Sequence, residues 1–186
     1  VKAAGEIIDR LLAPGGVAIV DPAMADNGKL YSGFDEDYVR SIGSLAGKAD
    51  IILPNVTEAA ILSGLPYQEN IDKNYVNQLL NGLNHPCAVL TGVDFDEDST
   101  GIVLQEGTVQ HEYRHKRIGT GCHGTGDIFA AVFTGALMQG KNRLDAAKIA
   151  ADFTCRCIKN TVNAPAHWYG VKFEPLMPEL MEMLGR

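Results

Sequence analysis

Apolar residues fall along this chain in two alternating patterns, and the alternation predicts the fold class. Over residues 2–13, Ile7, Ile8, Leu11 and Leu12 recur at helical spacing until Pro14-Gly15-Gly16 breaks the helix. Val17-Ala18-Ile19-Val20 is a short apolar run closed by Asp21-Pro22, the pattern of a buried parallel strand. A polar, glycine-containing loop is expected over residues 23–33, then a helix over 35–46 capped by Asp35 or Ser32. Asp50-Ile51-Ile52-Leu53-Pro54 reads as a second buried strand. A helix over 56–63 stops at Gly64, and another spans 71–83. Cys87-Ala88-Val89-Leu90-Thr91 reads as a third strand, ending at Gly92. The pattern then changes to two antiparallel strands, 101–105 and 108–114, joined at Glu106-Gly107. Helices are expected at about 125–139, 143–160 and 174–184.

Strands alternating with helices predict an α/β fold with a mainly parallel sheet, in one domain spanning 1–186. No repeat, low-complexity tract or linker interrupts it. The chain opens inside a helix and shows only three parallel strands. Such a sheet leaves an unpaired edge, so residues upstream of Val1 are expected to be missing. The composition is globular, with 46% hydrophobic and 21% charged residues. A formal charge of −7 gives no bulk attraction for nucleic acid, yet leaves room for a local phosphate site. No apolar run approaches the roughly 20 residues that span a bilayer. Cys87, Cys122, Cys155 and Cys157 lack metal-site spacing, which suits reduced thiols in the cytoplasm.

The candidate chemistry centres on Gly119-Thr120-Gly121-Cys122-His123-Gly124-Thr125-Gly126-Asp127, immediately before an Ala-rich helix. Glycines let backbone amides approach an anion, and the helix aims its positive end at the same place. An aspartate in the first turn can take a proton from an attacking hydroxyl. The same residues also suit a purely structural helix start. The segment is neither a Walker A loop nor a dinucleotide fingerprint. Asn55-Val56-Thr57-Glu58 follows the second strand, at the sheet edge where open α/β folds bind ligands. Its spacing fits either a magnesium-organising pair or a capping box. Asp21 follows the first strand, as a carboxylate for the crevice or a loop cap. Thr91, at the end of the third strand, suits a phosphate contact or a strand-end hydrogen bond.

Gly124-Thr125-Gly126-Asp127 with its apolar helix resembles the signature of the ribokinase-like superfamily, and Asn55-x-x-Glu58 resembles that superfamily's second motif. Asp21-Pro22-Ala23-Met24-Ala25-Asp26-Asn27-Gly28 is similar to a segment of the vitamin B6 kinases, with Ala25 where that branch usually has Gly. The resemblance covers the later two-thirds of such an enzyme and implies a three-layer α/β/α sandwich lacking its N-terminal part. It implies that Asp127 is the base and that the amides of Gly124, Thr125 and Gly126 form an anion hole. Asp21 and Glu58 would place Mg2+, with Asn55 beside them. Asp26 and Tyr31 would lie on a mobile loop over the ATP phosphates, and Thr91 would contact those phosphates. The segment 114–122 would line the adenine side.

The implied reaction is ATP-dependent phosphorylation of the 5′-hydroxymethyl group of pyridoxal, pyridoxine or pyridoxamine. Phosphomethylpyrimidine kinases share His before Gly-Thr-Gly but usually carry Cys where this chain has Asp127. The alternatives are therefore a hydroxymethylpyrimidine kinase, a sugar kinase of the same superfamily, or an inactive nucleotide-binding fragment. The resemblance also implies a homodimer and leaves a monovalent cation open. His123 has a structural and a phosphate-binding reading, and Cys122 a less favoured one toward an aldehyde substrate. Asp152, Phe153 and Thr154 are expected in the core rather than beside the base. Trp168 and Tyr169 are expected to pack the last helix.

Overall fold

The computed structural model describes residues 1–119, 122–164 and 169–186, in two compact units. The first comprises Val1–Asp96 and Gly101–Glu112, the second Glu97–Thr100 and Tyr113–Arg186. Trp168 and the Thr120-Gly121 step of the glycine-rich segment lie outside the described residues.

In the first unit, helix α1 (Lys2–Leu11) precedes strand β1 (Ile19–Val20). Two short strands, β2 (Ala25–Asp26) and β3 (Lys29–Leu30), lead to α2 (Glu36–Ala46), β4 (Ile51–Ile52), α3 (Val56–Ser63), α4 (Lys73–Leu83) and β5 (Cys87–Asp94). Strands β6 (Ser99–Glu106) and β7 (Val109–Lys116) follow, their outer ends belonging to the second unit. The sheet order is β1-β4-β5-β6-β7, so β1 lies at one end. Parallel pairing joins Ile19 to Ile51 and Ile52 to Ala88. The connection between β6 and β7 is too short for anything but an antiparallel pair. The α/β class and the mainly parallel central sheet flanked by helices are as expected.

Pattern explains the core. Tyr75, Val76, Leu79 and Leu80 sit at i, i+1, i+4 and i+5 of α4 and present one buried stripe. That stripe packs with Ala88, Leu90 and Val93 of β5 and with Val56, Ala59 and Ala60 of α3. A smaller cluster joins Met24 and Ala25 to Ile42 of α2, with Phe34, Tyr38 and Ile61 against it.

Three expectations need correction. The expected loop over 23–33 contains the β2–β3 hairpin, because Asn27 and Gly28 adopt φ of 50° and 74°. Two consecutive positive φ values make the type I′ turn that Asn-Gly favours. Strand β5 does not stop at Gly92. It runs to Asp94, with Gly92 taking φ 66° inside it. The last helix starts as a 3₁₀ turn (Glu174–Leu176), then becomes α-helical.

The second unit is helical. Phe129, Val132, Phe133 and Ala136 form the buried stripe of α5 (Thr125–Met138). It lies against α6 (Arg143–Val162), whose buried residues include Ala146, Ala147, Ala150 and Ala151. Phe153 and Thr154 of α6 are buried, as expected of core residues, and Asp152 accepts a 2.7 Å hydrogen bond from the Tyr113 hydroxyl. Helix α7 (Met177–Leu184) packs on α6. Among the described residues, no helix is long and apolar enough to cross a membrane.

Leu90 lies on the central strand of this core and is fully buried. Leu90→Ala is expected to cost about 2–5 kcal/mol, measured by chemical denaturation.

Candidate active site

Asp21 directly follows β1 and Asn55 follows β4 by three residues, so both stand at the C-terminal edge of the parallel strands. Asn55 also bridges to Thr91 of β5. Ligands of open α/β sheets bind at that edge.

Asn55 and Glu58 form a complete capping box at the start of α3. The Glu58 N–H donates to Asn55 Oδ1 at 2.9 Å, and the Asn55 N–H donates to Glu58 Oε2 at 3.0 Å. The same two side chains also reach the preceding loop. Glu58 Oε1 accepts the Met24 N–H at 2.8 Å and the Ala25 N–H at 3.4 Å. Asn55 Nδ2 donates to the Ala25 carbonyl at 2.7 Å. The capping-box reading of Asn55-x-x-Glu58 is met, and the box stands at the C-terminal edge of the parallel strands.

Glu58 is 2% exposed. Burial pushes its carboxyl up to about 7, against the pull of the Asn55, Met24 and Ala25 N–H groups. The nearby charge of Asp21 raises it further. Asp21 is only half-buried, and its Oδ1 accepts the Ala23 N–H at 3.3 Å. Two neighbouring carboxylates, one of them buried, suit a divalent cation that arrives with phosphates. Magnesium needs few protein ligands in such sites. Among the described residues, no group of three or more His, Cys, Asp or Glu gathers to hold a metal alone. Both Glu58 oxygens are occupied by N–H donors, so Asp21 is the carboxylate better placed for direct contact.

The remaining predicted residues of this unit have structural partners. Asp26 accepts the Asn27 N–H at 2.8 Å and is exposed. Tyr31 is 46% exposed, and its N–H donates to the Met24 carbonyl at 2.9 Å. The Thr91 hydroxyl donates to the Pro54 carbonyl at 3.4 Å, the strand-end reading of that residue. Sequence reasoning passed over the Thr57 hydroxyl, which accepts the Gly28 N–H at 3.0 Å. The Asn-Gly dipeptide was the available signal, since a hairpin tip there must rest on something.

The helices begin in two ways, and α1, α5 and α7 start without a side-chain cap. Helices α2, α3, α4 and α6 each begin on an Asp or Asn whose side chain accepts a backbone N–H. Helix α5 begins on Gly124, at φ 85°, with no side-chain cap. Thr125, Gly126 and Asp127 form its first turn, and Asp127 is exposed. A helix start left without a cap, on glycine, presents N–H groups to an incoming anion. Elsewhere in this unit burial pushes the Cys155 and Cys157 thiols up to about 12 and about 11, so they stay protonated. All four cysteines are free.

The model of the phosphomethylpyrimidine kinase family matches residues 2–171. The chain belongs to that family. A hydroxymethylpyrimidine/phosphomethylpyrimidine kinase of Bacillus subtilis is 29% identical over 146 residues, 77% of this chain and 54% of the relative. The chain thus spans about half the length of the curated relatives it matches. A crystal structure from Bacteroides thetaiotaomicron, described as a "putative phosphomethylpyrimidine kinase", matches with TM-score 0.88 and 26% identity, covering 98% of this chain and 64% of that one. A second crystal form of that protein contains pyridoxal. The pyridoxal kinase of Lactobacillus plantarum matches with TM-score 0.77 and 32% identity, covering 89% of this chain and 61% of that one. The ribokinase-like expectation is met. Relatives of this family member carry both substrate names, pyrimidine and pyridoxal.

Glu58→Ala is expected to lower stability by about 2–3 kcal/mol, because three buried N–H groups lose their acceptor. A carboxyl whose folded pKa is raised binds its proton more tightly in the folded state. Its contribution is full below the ordinary 4.5 and is lost as the pH rises through about 7. Denaturation between those pH values should show a falling slope in the wild type that flattens in Glu58→Ala.

Proposed function

We propose that the protein carrying this chain is an ATP-dependent kinase that phosphorylates a hydroxymethyl group on an aromatic nitrogen heterocycle, with a vitamin B6 vitamer as the acceptor. The observation that carries the reading is the start of α5, where an uncapped glycine precedes an exposed Asp127 within the span the family model matches.

In this reading both units belong to one cytoplasmic kinase domain, and Asp127 accepts the proton of the acceptor hydroxyl. That oxygen forms its bond to the γ-phosphorus as the bond to the β–γ bridging oxygen breaks, leaving ADP. The N–H groups of Gly124, Thr125 and Gly126 hold the transferring phosphoryl oxygens as charge builds there. Asp21, supported by Glu58 and Asn55, would hold Mg2+, which when bound offsets phosphate charge. Asp26, Tyr31 and Thr91 serve the nucleotide side.

A pyrimidine acceptor is the second reading, favoured by the names of the three curated relatives. An aspartate at position 127 and the pyridoxal kinase match favour the pyridine.

The test is an ATP-dependent assay offering pyridoxal, pyridoxine, pyridoxamine and hydroxymethylpyrimidine side by side. Turnover of a pyridine vitamer is expected, and turnover of the pyrimidine alone would transfer the mechanism to the other acceptor. Asp127→Asn should lower kcat by about 10²–10⁴-fold while nucleotide affinity holds. Near wild-type turnover in that variant would remove Asp127 from its role.

A further inference from the structure

The β2–β3 hairpin carries Asp26 and leads into Tyr31, yet only two residue pairs join its strands. A ribbon that small has no stability of its own, so its position comes from what it rests on. Its root is fixed by the buried Met24 and Ala25 and by their hydrogen bonds to Glu58 and Asn55. Its tip is held separately, at Gly28.

Two residues meet that tip. The Thr57 hydroxyl accepts the Gly28 N–H at 3.0 Å and is buried at 3% exposure. Thr57 has no part in the cap of α3, which Asn55 and Glu58 complete between them. Tyr67, in the loop after α3, lies flush against the Gly28 backbone. A Cβ added to Gly28 would stand 2.7 Å from Tyr67 Cδ1 and 3.0 Å from Cε1. Gly28 is therefore required twice, for its φ of 74° and for this close approach. Burial, then the charges of Glu69, Asp26 and Asp94, raise the Tyr67 hydroxyl pKa, which places that hydroxyl among the carboxylates around the tip.

We propose that Thr57 and Tyr67 are positioning residues that seat the tip of the hairpin and so hold Asp26 and Tyr31 ready for the nucleotide phosphates. This rests on the kinase reading above. The hydroxyl supplies direction and the ring supplies a floor. Neither touches the reacting atoms, so their loss weakens nucleotide binding without changing the chemical step.

Two readouts test this. Hydrogen exchange over residues 24–31, measured without nucleotide, should quicken about five- to tenfold in Thr57→Val, the scale of one hydrogen bond. Thr57→Ser should restore wild-type exchange, and Tyr67→Phe should leave it unchanged while Tyr67→Ala loosens it. In kinetics, Thr57→Val should raise KM for ATP by a similar factor, with kcat and the acceptor KM within about twofold. Unchanged exchange in both Thr57→Val and Tyr67→Ala would overturn the seating. Looser exchange with an unchanged KM for ATP would overturn the link to the nucleotide. A wild-type protein that binds no ATP would overturn the kinase reading instead. That failure is separable, because the exchange comparison uses no nucleotide.

Discussion

A single buried carboxylate organises the ligand edge of the first unit. Glu58 accepts N–H groups from Asn55 of its own helix start and from Met24 and Ala25 of the segment after β1. Burying a carboxylate is costly unless its lone pairs are filled, and here backbone donors fill them. The cost explains the geometry: Glu58 is buried, so the N–H groups of the loop come to it. Once Met24 and Ala25 are fixed, β2 and β3 follow, and so do the places of Asp21 upstream and Asp26 downstream.

The starts of α3 and α5 are built by opposite devices. At the start of α3 the Asn55 and Glu58 side chains are both bonded to backbone groups, which gives rigidity. At the start of α5 a glycine replaces the Asp or Asn that caps α2, α4 and α6, which leaves N–H groups for a ligand. Glycine in place of Asp or Asn costs a helix start only about a few tenths of a kcal/mol. The glycine at 124 thus leaves the helix start open at little cost to the helix.

The elements that sequence made legible are those with a local signature. The capping residues Asp35 and Asn55, the stop at Gly64 and the apolar run ending at Thr91 all act through neighbours in the chain, and the helices stand within about two residues of where pattern puts them. The start of α5 was legible because glycines precede an apolar helical run. What stayed hidden depends on distant contacts. Gly92 reads as a stop, yet pairing across the sheet carries β5 through it. Residues 23–33 read as a loop because their two-residue strands bury only Met24 and Ala25, and the acceptor that fixes them lies over thirty positions away. Thr57 looked like a spacer between Asn55 and Glu58 for the same reason, since its partner Gly28 is twenty-nine residues upstream.

This division bears on the choice of acceptor. In the proposed reading Asp21, Asn55, Glu58, Gly124 and Asp127 would act on the nucleotide phosphates, the cation and the acceptor hydroxyl, and every hydroxymethyl heterocycle shares that hydroxyl. None addresses a ring. The solved relatives extend well beyond the matched region, with 61% to 64% of their length covered, and their names divide by ring, not by phosphate chemistry. One fold carries both names, and a protein called after the pyrimidine crystallises with pyridoxal. In the proposed reading, the aspartate at 127 is the feature of this span that favours the pyridine acceptor.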